Sequence, residues 1–406
     1  MTDAAVQIQA EGHCDDRYAP VRQAFLGNFA PPPAGAGDVG ASVAVMVEGE
    51  MVVDLWGGHL DEARTRPWEQ DTLINVFSTT KTMSCLSLLV CADRGLVDVD
   101  DPVARYWPGF EANGKEGVLV RHLLAHTAGL SGWNERLRSE DLYDWEKCTS
   151  LLAAQEPWWE PGTKSGYHGI TQGYLVGEVV RRVTGQTVGQ FFATEIAGPM
   201  EADFHIGLDP RHDGRVAPVI APSTPAGGGA ADTGSSNGGG GGGGGIDKTS
   251  IPYRSFVNPR LEAEQSYDLA WRRAEIPAAG GQGNARAVAR AQHAVANGGE
   301  SNGHRLLGEA TLERILDVQA AGRDLVLGIG VTFGVGYGLN SPRAPISPSP
   351  NLCYWGGWGG SLVINDMDRR MTMAYVMNRM GEGTVGDDRA HSILRGVYES
   401  MGVAWK

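Results

Sequence analysis

Residues 75–90, "NVFSTTKTMSCLSLLV", hold the one Ser-x-x-Lys of the chain, Ser78 and Lys81. About one or two such matches are expected by chance in a chain of this length, so the surroundings must decide its meaning. Residues three apart share a helix face. A helix beginning near Ser78 sets its hydroxyl at the N-terminus, with Lys81 one turn deeper. Lysine acts as a base only when neutral, and burial and the positive end of the helix dipole both push its pKa down. Met83, Leu86, Leu89 and Val90 supply an apolar stripe for the core. A capping serine and a snorkelling lysine on an amphipathic helix would give the same local pattern.

Working outward, helices are expected over Thr79 to Arg94 and Gly173 to Thr184, each stopped by glycine, Gly95 and Gly185. "GASVAVMVEGEMVVDLWGG" (40–58) alternates around Glu48-Gly49 and reads as a hairpin. "LVINDMDRRMTMAYVMNRM" (362–380) repeats strand, turn (Asp366 to Arg369) and strand, before a final helix over roughly Asp387 to Met401. Strands at both ends with helices between predict an antiparallel sheet assembled from the two termini. The expected division is an α/β unit of 1–95 and 206–406 with a helical unit, 96–205, inserted. Residues 221–250, with eight consecutive glycines, read as a flexible surface insertion. Within it "GSSNG" (234–238) matches the nucleophile elbow G-x-S-x-G, yet Ser236 lacks the strand before and the helix after that the motif requires.

The chain has 406 residues and a net charge of −14, which argues against nucleic acid or anionic membrane as partner, since both need clustered Lys and Arg. No apolar run has membrane-helix length. The first residues show neither a basic n-region nor an apolar h-region. Five cysteines without C-x-x-C spacing suit free thiols, and together these features predict a cytoplasmic protein. His122 and His126 stand at i, i+4 but lack the glutamate of a zinc protease, and His126 reads as structural, tying down a helix end. No metal or cofactor is expected.

Downstream, "WEPGTKSGYHGITQGYLVGEVVRRVTGQT" (159–187) sets Tyr167 after a Pro-Gly turn and before an amphipathic helix, where it could pass protons. Tyr174, inside that helix, reads as core. With "LLAHTAGL", "GLVDVDDPVARYWPGF", "FGVGYGL" and "YWGGWGGSL", in the same chain, these pieces resemble the serine β-lactamase and penicillin-binding-protein superfamily. The resemblance is to the class C β-lactamase-like branch that includes family VIII carboxylesterases, and it runs from about Gly40 to the C-terminus.

That resemblance implies Ser78 as acylated nucleophile, Lys81 as its base, and Tyr167 as the tyrosine of the Y-x-N box. Trp355-Gly356-Gly357 is similar to the W-G-G that family VIII esterases carry in place of K-T-G. It implies an oxyanion hole from the amides of Ser78 and Trp358. The second W-G-G, Trp358-Gly359-Gly360, leaves Ser361 as the alternative donor. Two departures bear on substrate: no lysine in the third box, and Gly169 in place of the asparagine. Both weaken recognition of an anionic, amide-bearing substrate and suit a neutral ester in a pocket floored by Trp355 and Trp358. The expected function is hydrolysis of short-chain carboxylic esters through an acyl-enzyme. The alternatives are a β-lactamase or D-amino-acid peptidase, acyl transfer to another acceptor, or a binding module with a decayed site.

Overall fold

The hairpin at residues 40–58 is the seed of the sheet. The computed structural model describes residues 8–30, 37–221, 247–342, 345–383 and 385–404. Strand β2 (Gly40–Val47) turns through Glu48 and Gly49, both at positive φ (51° and 94°), into β3 (Glu50–Gly58). Two consecutive left-handed residues match the right-handed twist of the flanking strands. An edge strand, β1 (Glu11–Cys14), pairs with β3. The remaining strands come from the last quarter of the chain: β4 (Ala320–Arg323), β5 (Gly330–Phe333), β6 (Gly338–Leu339), β7 (Leu352–Gly356), β8 (Leu362–Asp366) and β9 (Met371–Met377). The nine strands run antiparallel in the order β1-β3-β2-β9-β8-β7-β6-β5-β4. The termini meet at the centre, where Ala44 faces Ala374 across β2 and β9.

Both faces of this sheet are covered, which explains why its central strands are mostly apolar and buried at nearly every position. Val43 and Val45 on β2, with Ile364 and Met373, pack under helices α1 (Ala19–Gly27) and the C-terminal Asp388–Ser400. Ala44, Val363, Ala374 and Val376 point the other way, onto α2 (Thr80–Asp93) and Ala285–Ala296. Helices α3 (Thr171–Thr184), α4 (Ala285–Ala296) and α5 (Asp388–Ser400) complete the set used below. Residues 96–205 contribute helices and loops but no strand to this sheet, and their core merges with that of its inner face.

The stripe expected on α2 is overtaken by burial on every side: all its residues but the last two are buried. The helix contacts α3 on one side and α4 on another. Its polar residues therefore need partners inside. Thr82 donates to the Thr79 carbonyl (2.8 Å), Ser84 to Pro277 (2.6 Å) and Ser87 to Met83 (2.9 Å). Gly95 (φ 72°) and Gly185 (φ 73°) follow α2 and α3 in the left-handed conformation that the sequence reading assigned to them. Among the described residues no helix is long and apolar enough to cross a membrane. Ser236 and the run of eight glycines lie outside the described residues.

Candidate active site

Ser78 sits in a single 3₁₀ turn, Phe77–Thr79, that feeds α2. Phe77 holds φ at 45°, a conformation that costs a non-glycine residue about 1–3 kcal/mol, and its ring packs on Trp358 with centroids 5.2 Å apart. The turn lifts the Ser78 side chain off the helix axis toward a cavity of about 100 Å³. Lys81, one turn on, is buried with its Nζ 3.0 Å from Ser78 Oγ. Its other neighbours are the carbonyls of Gly169 (2.7 Å) and Ala278 (2.9 Å). No carboxylate pairs with it among these contacts, so burial pushes its pKa from 10.5 down to about 7.

Tyr167 arrives from an irregular segment just before α3 and donates its phenol hydrogen to Ser78 Oγ at 2.7 Å. Trp355 donates its indole N–H to the same phenol oxygen (3.3 Å). Burial pushes the phenol up to about 12, with its hydrogen bonds to Ser78 and from Trp355 opposing and the Asp324 charge adding to the rise. Lys81 Nζ lies 4.9 Å from the Tyr167 ring centre. Ser78, Lys81 and Tyr167 thus meet at one oxygen, although they come from two segments almost ninety residues apart.

The Tyr167 segment is gripped on both sides. His126 accepts the His168 amide on Nδ1 (3.0 Å) and the Gly166 amide on its carbonyl (3.0 Å), and its ring lies 4.9 Å from that of Tyr167. Burial drives the pKa of His126 well below 6.5 and that of His168 to about 3, so both act as neutral hydrogen-bonding groups. His126, at φ 60°, stands at the helix end as expected, following Val120–Leu124 and its cap Ala125, and in addition secures the tyrosine loop. His122 is separately occupied, accepting the Leu119 amide on Nδ1 (3.2 Å). Tyr174 is buried against Trp133 and Trp145, and its hydroxyl donates to the Leu142 carbonyl (2.5 Å). Among the described residues no group of three His, Cys, Asp or Glu is placed to hold a metal.

The two tryptophans separate. Trp355, on β7, lies behind Tyr167 and packs on Phe333 and His126, whereas Trp358 lines the cavity beside Ser78. The expectation that both floor the pocket is corrected: three residues of strand and turn put the two side chains on different sides of the tyrosine. Gly357 lets β7 end against the helix base, since a Cβ there would lie 2.2 Å from the Val76 carbonyl. Ser361 lies underneath, its hydroxyl 3.0 Å from Thr79 Oγ1 and donating to the Val76 carbonyl (3.1 Å). Its carbonyl accepts the Gly357 amide at 2.8 Å, closing the turn that presents Trp358. Among the described residues the amides of Ser78 and Trp358 have no hydrogen-bond partner.

The sequence reading missed the wall opposite Trp358. Phe256, Pro259 and Leu261, from the segment after the glycine run, close the cavity together with Phe77 and Ile170. A Cβ on Gly169 would meet Phe256 and Tyr167 only at 3.8 Å, so this glycine leaves room for a substrate. The apolar pattern "YRSFVNPRL" (253–261) is the one signal that could have pointed to that wall.

A partly exposed serine held by a buried lysine and a buried tyrosine at the N-terminus of a central helix, facing the end of an antiparallel strand, defines a serine hydrolase. The beta-lactamase family pattern matches residues 27–397, and the chain belongs to that family. Over 390 residues it is 35% identical to "Esterase/beta-lactamase LipL" of Mycobacterium tuberculosis, covering 95% of this chain and 86% of that protein. Two solved structures superpose over 97% of this chain and 100% of their own. One is a family VIII carboxylesterase (38% identity, TM-score 0.86) and the other a penicillin-binding protein homolog from Caulobacter crescentus (36%, 0.83).

Proposed function

We propose that the protein is a carboxylesterase that hydrolyses short-chain esters through an acyl-enzyme on Ser78. The observation that carries this reading is the convergence of Lys81 Nζ and the Tyr167 phenol on Ser78 Oγ, within 3.0 Å, at the mouth of an apolar cavity. A neutral lysine has two hydrogens and one lone pair. The carbonyls of Gly169 and Ala278 take the hydrogens, and the lone pair is left for the serine proton. With a pKa near 7, Lys81 is free to be that base near neutral pH, while Tyr167 keeps its proton.

Ser78 Oγ attacks the ester carbonyl carbon as its proton passes to Lys81. The oxyanion is met by the unpartnered amides of Ser78 and Trp358. When the C–O bond breaks, the Tyr167 phenol protonates the departing alkoxide, and the proton held by Lys81 replaces the one the tyrosine gave. Water then attacks the acyl-enzyme with the same groups acting in reverse.

The cavity lining supports a neutral substrate, because among the described residues it contains no charged side chain. An engineered cavity of about 150 Å³ holds a benzene ring, so one of about 100 Å³ suits an acyl chain of about four carbons. Relatives named as esterases support the same reading: LipL and "Esterase EstB" of Burkholderia gladioli, 32% identical over 45% of this chain and 52% of that protein. For β-lactam hydrolysis or D-amino-acid peptidase activity, the alternative on the same scaffold, the cavity offers no cation among the described residues to meet a substrate carboxylate. Intact-mass analysis after exposure to a serine-reactive phosphonate tests the assignment. Wild type should gain one adduct and Ser78→Ala none. An adduct that persists in the variant refutes the role of Ser78.

A further inference from the structure

The turn between β4 and β5, at the edge of the sheet, carries a carboxylate that accepts the backbone amide of the active-site tyrosine. Asp324 is 1% exposed. Its Oδ1 accepts three backbone amides, those of Tyr167 (3.0 Å), Val326 (2.9 Å) and Leu327 (2.9 Å). Its Oδ2 is buried with no hydrogen-bond partner among the described residues. A buried carboxylate with one bare oxygen is expensive, and each such group calls for an explanation. Capping a hairpin turn does not supply one. That task needs only the Val326 and Leu327 amides, and a serine or asparagine would serve it at lower cost.

The third amide, across 157 residues of sequence, is the one a local turn has no use for. Around it the turn is docked onto the tyrosine segment: Leu325 donates its amide to the Ser165 carbonyl (2.9 Å), and Val326 and Leu327 pack in one cluster with Tyr167, Trp355 and Phe333. We infer that Asp324 is a positioning residue for Tyr167, its carboxylate fixing the tyrosine backbone so that the phenol stays within reach of Ser78 Oγ. A charged acceptor holds an amide about twice as strongly as a neutral one, which suits a side chain that must hold three at once. The assignment rests on the catalytic reading of Ser78 and Tyr167 given above.

A double-mutant cycle separates this role from a general loss of packing. Asp324→Asn keeps one acceptor oxygen but places an NH₂ where nothing receives it, so the grip on Tyr167 loosens. It should lower kcat on a short aryl ester about tenfold, with KM within about twofold. In a Tyr167→Phe background, where the phenol is gone, the same substitution should change kcat by less than about twofold. Losses that multiply in the double variant, or a fall seen wholly in KM, would overturn the inference while leaving the catalytic reading intact. An unchanged kcat in Tyr167→Phe alone would overturn both. If Asp324→Asn does not fold, Asp324→Ser, which keeps a short acceptor, enters the same cycle with the same expected outcomes.

Discussion

Replacing Lys81 by methionine should abolish esterase activity and at the same time make the stability of the protein less dependent on pH. Lys81 has its pKa lowered from 10.5 to about 7 by burial in α2. Between those values the unfolded chain holds a proton that the folded chain has released, so wild-type stability rises with pH across that window and is lowest at and below about pH 7. At about 1.4 kcal/mol per pH unit, burying the lysine costs about 4 kcal/mol at pH 7 and about 2 kcal/mol at pH 9. Methionine has similar length and no proton to lose. It also strands the carbonyls of Gly169 and Ala278, at about 1–3 kcal/mol each, but that loss is the same at either pH. The informative quantity is therefore the change in the gap between variant and wild type. Denaturant midpoints at pH 7 and pH 9 should show the variant losing about 2 kcal/mol relative to wild type as pH rises. A gap that stays constant would mean that Lys81 does not titrate in this range and is not a neutral base near pH 7.

The same ionisation should appear in the rate: kcat/KM on a neutral ester should rise with pH along an acidic limb centred near 7, and Lys81→Arg, which cannot lose its proton, should be nearly inactive at every pH along that limb. Phe256→Ala should open the wall opposite Trp358 and raise the ratio of octanoate to butyrate ester turnover about tenfold, and an unchanged ratio would place the acyl chain elsewhere. Short aryl esters should exceed penicillins in kcat/KM by about a hundredfold to ten-thousandfold, because two recognition contacts worth roughly 1.5–3 kcal/mol each are absent. Parity on the same preparation would favour the β-lactamase alternative.

What the sequence made legible was local chemistry with a strong geometric demand. Glu48-Gly49 could be read because a two-residue hairpin needs two left-handed residues, and Ser78 with Lys81 because a helix turn fixes their separation. Tyr167 could be singled out because a Pro-Gly turn and an amphipathic helix bracket it. Asp324 could not, since an aspartate followed by Leu-Val-Leu-Gly looks like any turn residue until the amide it holds is known. The Ala278 carbonyl acts through the backbone and leaves no mark on residue type. Helix α4, "ARAVARAQHAVA", escaped notice because its alanines, which let it lie between the sheet and α2, present little of the bulky apolar stripe by which a core helix is recognised. The different duties of Trp355 and Trp358 depend on where β7 ends and the turn begins, and the repeated W-G-G obscures that boundary.

The adjacency of β2 and β9 has a consequence for how this chain is made. Residues 41–47 are bonded to residues 371–377, so the centre of the sheet cannot close until β9 has left the ribosome. Until then α2, with Ser78 at its tip, lacks the floor it rests on, and the β2–β3 hairpin shows water an apolar edge with open amides and carbonyls. Contacts of such long range are slow to form because the intervening loop must be closed first. Closure of the sheet therefore waits for β9 to be made and to dock onto the β2–β3 hairpin. A nascent chain stalled before β9 would carry Ser78, Lys81 and Tyr167 in full and still have no active site.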